Sequence, residues 1–395
     1  MSTANLRPAF PGVGRRTFLD SASIGLVSTA ARDAIAAFLA RAEHDPQGAH
    51  HGDAFARARA AAAALIGATP ETIALIPSTS LALNIAADAI PLAAGDNVVT
   101  TDLEFMSVVV PWVEKARVAG AEIRVARHRD GRIAPDDVIA LMDGRTRAVT
   151  LSAVQWTNGF RMDVAPIGRA CRDRDVPFVL DAIQQIGVVP FDAVESGADF
   201  VACGGHKWLC SPAATGFAYV SRHFAERFRP SLSYVPTSRP PLASWQASWT
   251  DPAYDPIRTY ELKPAAARFE QGVHHGGLGA TGLAASLALL LDAGPAAVWD
   301  RARSLADRVA GGVAALGLAV VSPLEPAARS GITVFATGRG PAGDLAVKEG
   351  LAAAGVDVNV RYTSGVGGVR VSTHAYNDED DVDRFLDALR PLLAA

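Results

Sequence analysis

The chain has 395 residues, 49% hydrophobic and 20% charged, enough apolar mass for two packed lobes and a composition that gives no reason to expect disorder. Its 37 basic and 41 acidic residues leave a net charge of −4 with no block of one sign, which argues against nucleic acid or an anionic membrane as the main partner. The opening MSTANLRPAFPGVGRRTFLD lacks a long apolar core, so no secretory signal is expected and a cytoplasmic location is.

In chain order, HHGDAFARARAAAAALI (50–66) reads as a helix, and TIALIPSTSLALNIAADAI (72–90) as strand, polar turn and helix. NVVTTDLEF (97–105), AEIRVARH (121–128) and AVTLSAVQ (148–155) read as strands. A helix at 167–176 precedes PFVLDA (177–182), ADFVACGG (198–205) and GFAYVS (216–221), three further strands. Residues 235–266, rich in Pro, Trp and Ser, read as a long surface excursion. The Ala-rich run 281–298 is broken by Gly and Pro and is expected to be a buried helix, not a membrane span. A long helix from about 280 leads to a second α/β unit with strands at 332–338, 356–362 and 367–373 and a closing helix at 378–393.

Strands alternating with helices over this length predict a mostly parallel α/β sheet, whose ligands bind at the carboxyl ends of the strands. Polar residues gather at those ends: Ser78, Thr79 and Ser80; Glu104; Gln155; Asp181 and Gln184; His206 and Lys207. A carboxylate and an amine at the ends of two apolar runs suit pyridoxal phosphate. That cofactor needs a lysine for a Schiff base, an acid at its ring nitrogen, a phosphate cradle and a partner for the ring face. The hydroxyls of PSTS (77–80) at a helix start can hold a phosphate. No Walker-type GxxxxGK[ST] occurs and no strand is followed by GxGxxG, so nucleotide binding is the weaker reading. The cysteines, Cys171, Cys203 and Cys210, follow neither a disulfide nor a zinc pattern, and the His-His pairs at 50–51 and 274–275 have no metal-like spacing, so no metal is expected.

At this point the chain resembles a fold-type-I enzyme of the class V aminotransferase family, which includes cysteine desulfurases, selenocysteine lyases, kynureninases and isopenicillin N epimerase-like proteins. The resemblance runs from about residue 17 to the C-terminus. It rests on FLDSAS (18–23), LEFMSVVVPW (103–112), the whole of 181–220 around DAIQQIG and GGHKWL, RFEQGV (268–273) and VRVSTHAYNDEDDVDRFLDAL (369–389). It implies the PLP-dependent transferase fold: an N-terminal segment (1–30) packing with the small domain, a large cofactor domain (31–275) with helices on both faces of its sheet, and a smaller C-terminal α/β domain (276–395). It implies that Lys207 carries the cofactor as an internal aldimine and moves protons. Asp181 would pair with the pyridine nitrogen and Gln184 with the phenolic oxygen. Thr79, Ser80 and His206 would contact phosphate, and Phe105 would stack on the ring where many desulfurases have histidine. Arg370 would clamp the substrate α-carboxylate, with Gln155, His51 and His274 near the substrate. It also implies a homodimer in which RFEQGV serves the partner's site.

Three positions depart from the family pattern. Desulfurases carry a nucleophilic cysteine on a loop before the C-terminal arginine; here that region, RYTSGVGGVRVS (361–372), has none, which makes a persulfide-forming desulfurase unexpected. Val273 stands where relatives often have Thr, and Gly204 where they often have Ser, each removing a phosphate hydroxyl. The leading expectation is β-elimination on an S-substituted cysteine, since a leaving thiolate needs no enzyme nucleophile, and the Gly-rich stretch 364–368 is expected to leave room for a bulky group. An aminotransferase is the alternative; an epimerase or a decarboxylating deaminase comes third.

Overall fold

The computed structural model of the protein describes residues 5–50, 52–231, 237–271 and 277–394. Its strands are β1 (Thr17–Phe18), β2 (Ile73–Leu75), β3 (Asn97–Thr101), β4 (Glu122–Ala126), β5 (Thr146–Ser152), β6 (Phe178–Asp181), β7 (Phe200–Gly204), β8 (Gly216–Val220), β9 (Ala319–Val320), β10 (Ile332–Ala336), β11 (Val356–Asp357), β12 (Asn359–Thr363) and β13 (Val366–Ser372).

Seven of these form one sheet in the order β2-β8-β7-β6-β5-β3-β4. The run from β7 through β4 is parallel, and β8 is antiparallel to both its neighbours. β3, β6 and β7 are buried at every position, as apolar runs covered by helices on both faces must be. One face packs on Ile85, Val108 and Trp112 of the helices Thr79–Ala89 and Met106–Ala119. The other packs on Ala58, Ile167 and Leu287 of the helices Ala54–Leu65, Ala165–Asp173 and Gly277–Ala293. The expected α/β class and mostly parallel sheet are those observed.

The second sheet, β12-β13-β10-β9, is antiparallel throughout. The segment 356–362, read from sequence as one strand, is two: β11 pairs with β1 near the N-terminus, while β12 joins β13. The expected single long helix from 280 is also two. Gly294, at φ 80°, separates Gly277–Ala293 from Pro295–Ala315, and the pair is bent by 80°. The first half packs on the helices Thr29–Ala42 and Ala54–Leu65 of the large sheet's side. No single helix among the described residues is long and apolar enough to cross a membrane.

The Gly-rich stretch 364–368 is not a roomy loop. β12 and β13 are joined by Ser364 and Gly365 alone, at φ 49° and 82°, the positive pair that a tight two-residue hairpin turn requires. Gly367 and Gly368 lie inside β13, where an added Cβ would sit 2.0 Å from the Arg361 carbonyl oxygen and 2.2 Å from that of Phe335. These glycines let strands approach; they leave no space for a substrate. The hairpin tip is docked on the large sheet's side, with the Ser364 hydroxyl donating to the Asp102 carbonyl at 2.7 Å and His128 Nε2 donating to the Ser364 carbonyl at 3.0 Å.

Behind the Lys207 turn lies a fully buried histidine, His374. Its Nδ1 accepts from the Ala375 N–H at 2.8 Å, so Nε2 carries the proton and donates to the Trp208 carbonyl at 2.9 Å. Tyr376 stacks on its ring at 4.8 Å. Burial pushes its pKa down to about 4. The unfolded histidine takes up a proton below about pH 6.5, the folded one only near 4, so stability falls as pH drops through that window. The deficit of a His374→Gln variant at pH 7 is therefore expected to shrink by about 3 kcal/mol at pH 4, read from urea unfolding of both proteins. A deficit independent of pH would mean that His374 is not held neutral.

Candidate functional site

β3, β5, β6 and β7 end at one edge of the large sheet, and the residues just past those ends meet the β12–β13 hairpin and the N-terminal segment. Between them is a cavity of about 260 Å³. It is lined by Thr79, Ser80, Phe105, Asp181, Gln184, His206, Lys207 and Arg370, eight residues singled out from sequence. Ala22, Ser23, Ser78, Ser107, Trp156, Ile183 and Arg361 complete the lining.

Asp181 closes β6. Its Oδ1 accepts from the Ile183 N–H at 2.9 Å, which fixes the carboxylate and leaves Oδ2 without a donor among the described residues. Burial pushes its pKa up to about 6, against the Ile183 bond and the charge of Lys207. Lys207 follows β7 and is the converse case. Burial pulls its ammonium down to about 8, Asp181 opposes, and Arg370 and Arg361 add repulsion. Both shifts have one cause, the cost of holding a charge away from water. The Lys207 Nζ lies 5.8 Å from the centre of the Phe105 ring, which meets Trp156 edge-on at 5.2 Å. The amine thus stands between a carboxylate and an aromatic wall.

Two helix starts converge on the opposite side. The helix Thr79–Ala89 is capped by Ser78, whose Oγ accepts from the Leu81 N–H at 3.2 Å. The helix Met106–Ala119 starts without a side-chain cap. The hydroxyls of Ser80 and Ser107, one from each first turn, are 2.6 Å apart. Paired helix N-termini with hydroxyls between them form an anion site by the orientation of their N–H groups. Thr79 Oγ1 accepts from the Gly204 N–H at 2.8 Å and keeps its own proton to donate. At Gly204 an added Cβ would sit 3.0 Å from that oxygen, so the missing serine there is matched by this closer contact. His206, half-buried, is held neutral by burial and by Lys207.

Gln184 is locked. Its Oε1 accepts from the Trp208 indole N–H at 2.8 Å, and its Nε2 donates to the Ala22 carbonyl at 3.0 Å, which leaves one N–H. Arg370, 1% exposed, donates from Nη1 to the Trp156 carbonyl at 2.9 Å and from Nη2 to Ser23 Oγ at 2.6 Å; its Nε is buried without a partner among the described residues. Burial lowers its pKa to about 10, which keeps it charged at neutral pH.

Gln155 is the exception. It is fully buried but does not line the cavity: its Nε2 donates to Glu104 Oε1 at 3.0 Å, and Glu104 also accepts from Thr101, at 2.6 Å, and from Ser152. The neighbouring Trp156 faces the cavity instead, because the chain turns just beyond β5, where the Gly159 N–H donates to the Gln155 carbonyl at 2.9 Å. His51 and His274, and with them Val273, lie outside the described residues. No group of three or more His, Cys, Asp or Glu that could hold a metal ion occurs among the described residues.

Sequence reasoning missed the N-terminal strap. Ser23, Asp20 and Ala22 reach Arg370 and Gln184 from the far end of the chain. The Gly25 N–H donates to the His206 carbonyl at 2.7 Å, and a Cβ at Gly25 would sit 2.1 Å from the Lys207 carbonyl oxygen. The strap thus presses on the peptide that carries the lysine. FLDSAS signalled resemblance, but nothing local assigned those side chains a partner. Ser107, Trp208 and Arg361 were likewise missed.

Comparison with known proteins places the arrangement. A model of the aminotransferase class-V family matches residues 17–385. The chain is 34% identical over 176 residues, 44% of each sequence, to a probable cysteine desulfurase of Methanothermobacter thermautotrophicus, so the match spans under half the length of that relative. It is 30% identical over 370 residues to isopenicillin N epimerase of Amycolatopsis lactamdurans, covering 85% of this chain and 84% of that one. A solved complex of the cystine C–S lyase C-DES with cysteine persulfide shares the fold at a TM-score of 0.85, with 22% identity over 96% of this chain and 99% of the other.

Proposed function

The chain belongs to the class V aminotransferase family, whose members use pyridoxal phosphate, and on that premise we propose that it eliminates a thiol from S-substituted cysteines. The cavity fits the cofactor on this chain's own features: a buried carboxylate with one oxygen unpaired among the described residues, an amine with a lowered pKa, and two helix starts sharing hydroxyls. Thr79, Ser80 and His206 would hold its phosphate, with Ser107 beside them. Asp181 would face the ring nitrogen, Gln184 the phenolic oxygen and Phe105 the ring. Once bound, the cofactor withdraws electrons from the substrate Cα.

Arg370 orients the amino acid through its α-carboxylate, with the unpartnered Nε–H as the ready donor. Lys207 Nζ, whose lowered pKa suits proton transfer near neutrality, takes the Cα proton. The Cβ–S bond then breaks and the electron pair leaves with sulfur, which is protonated to a thiol. The released aminoacrylate takes up water and becomes pyruvate and ammonia. Phe105, Trp156 and Ile183 supply the apolar part of the cavity wall.

The observation that carries elimination is the absence of a thiol at the cavity. The β12–β13 hairpin holds none. All three cysteines are buried free thiols in the large sheet's core or the Lys207 turn. Burial pushes Cys171 up to about 12 and the other two higher still. A thiolate nucleophile is the species such burial suppresses.

The test mixes holoenzyme with S-alkyl cysteines and no keto acid. Repeated release of pyruvate and thiol supports elimination. Reaction that stops after one equivalent of keto acid means transamination, and alanine from free cysteine means desulfuration; either overturns the reading. Arg370→Ala is expected to raise KM about tenfold to a hundredfold while leaving the resting cofactor spectrum intact. An altered spectrum with unchanged KM would give Arg370 another role. A homodimer is part of the same reading, since RFEQGV resembles a segment that serves a neighbouring subunit. An active monomer by light scattering would contradict it.

A further inference from the structure

Arg361 lines the cavity and has no part in the scheme above. In the β12–β13 ladder Asn359 lies opposite Arg370, and Arg361 lies opposite Gly368. Residues two apart on a strand share a face, so Arg361 projects from the same side as Arg370, one step along. Gly368 offers no side chain to cover it.

The two guanidiniums are differently engaged. Arg370 is braced by the Trp156 carbonyl, Ser23 and Asp20. Arg361 donates from Nη1 to Asn359 Oδ1 and to its neighbour's carbonyl on Val360, and from Nη2 to Ser23 Oγ at 3.4 Å. Its Nε has no partner among the described residues and its Nη2 only that long contact, whereas both Nη groups of Arg370 are already engaged. The carboxylate beside them is already engaged. Asp20 Oδ1 accepts from Ser23 and Arg370, and its Oδ2 accepts from Asn359 at 2.9 Å. Asp20 therefore offsets Arg370, and Arg361 lines the cavity with no carboxylate paired to it among the described residues. An α-carboxylate held at Arg370 leaves the Nε side of Arg361 for another group. A guanidinium edge suits a second planar anion.

We propose that Arg361 binds an acidic group on the sulfur substituent, so that the preferred substrates are S-(carboxyalkyl)cysteines and similarly acidic cysteine conjugates. The substrate class rests on the elimination reading; the binding geometry does not, and the experiment separates the two.

The first measurement is calorimetric binding of glutarate and butyrate to the holoenzyme. Glutarate, with two carboxylates, is expected to bind at least tenfold tighter than butyrate. Arg361→Gln is expected to erase that difference and Arg361→Lys to keep part of it, which separates lost charge from a disturbed hairpin. The second measurement compares pyruvate release from S-(2-carboxyethyl)cysteine and its neutral counterpart S-propylcysteine. The acidic conjugate is expected to have at least tenfold higher kcat/KM, and the ratio to fall toward one in Arg361→Gln. Equal binding of glutarate and butyrate, or an equal loss of both in Arg361→Gln, overturns the proposal by making Arg361 a second contact to the α-carboxylate. A glutarate preference without pyruvate from either conjugate upholds the anion site and overturns only elimination.

Discussion

Lys207→Ala is expected to lower kcat by at least three orders of magnitude and to remove the yellow absorbance of the lysine-bound cofactor. The size follows from two tasks held by one atom. The Nζ is the only amine lining the cavity among the described residues, and in the proposed function it would also move the Cα proton. General acid–base catalysis alone contributes about 10²- to 10⁴-fold. The nearest substitutes are poor: His206 is held neutral, and in the proposed arrangement it would contact the phosphate while Asp181 would face the ring nitrogen. Burial has already brought the Lys207 pKa down to about 8, so an appreciable fraction of the native amine is neutral and able to attack a carbonyl near pH 7.5. The check needs no turnover. Borohydride reduction followed by peptide mass mapping should tag Lys207 in the native chain and nothing in the variant. A variant that keeps the absorbance, or turns over within tenfold of the native rate, would remove Lys207 from the centre of the site.

Asp181→Asn is expected to cost about 10²- to 10³-fold in kcat, the range seen when one preorganised electrostatic partner is removed from a reacting group. Asparagine keeps the shape and can still accept the Ile183 N–H, so the fold should hold. What it lacks is the negative charge that would keep the ring nitrogen protonated. Burial raises the Asp181 pKa to about 6, so above that pH the carboxylate is ionised, and the native advantage over Asn should be full at pH 8 and narrow as pH falls below 6. The measurement is kcat for both proteins between pH 5 and 8, with cofactor saturating. A ratio that stays flat across that range would mean that the charge of Asp181 does not act on the reaction.

Part of this site could be read from residue order alone. Asp181 and Lys207 stood out because each ends an apolar run, and a buried strand that stops on a charge is a local signal. PSTS announced a helix start for the same reason: a cap needs only its own residue and those two or three beyond it. The five segments of resemblance supplied the order, and the parallel sheet followed from strands alternating with helices.

Tertiary structure alone decided the rest. Whether Gln155 or Trp156 entered the cavity depended on the turn beyond β5, which sends Gln155 to Glu104 and sets Trp156 against Phe105. Whether 364–368 was a loop or a strand depended on Arg361 and Phe335 lying close enough that only glycine fits between backbones. Arg361 became a site residue only when β12 paired with β13 in the register that sets it one step from Arg370. The brace on Arg370 comes from Ser23, 347 positions away in sequence, and the amide of Gln184 is oriented by Trp208 and by Ala22, 162 positions away. The chemistry of the two charged strand ends was written in short stretches because it needs only residue type and the end of an apolar run. The partners that aim those groups were not, because their roles depend on which distant segments the packed sheets bring together.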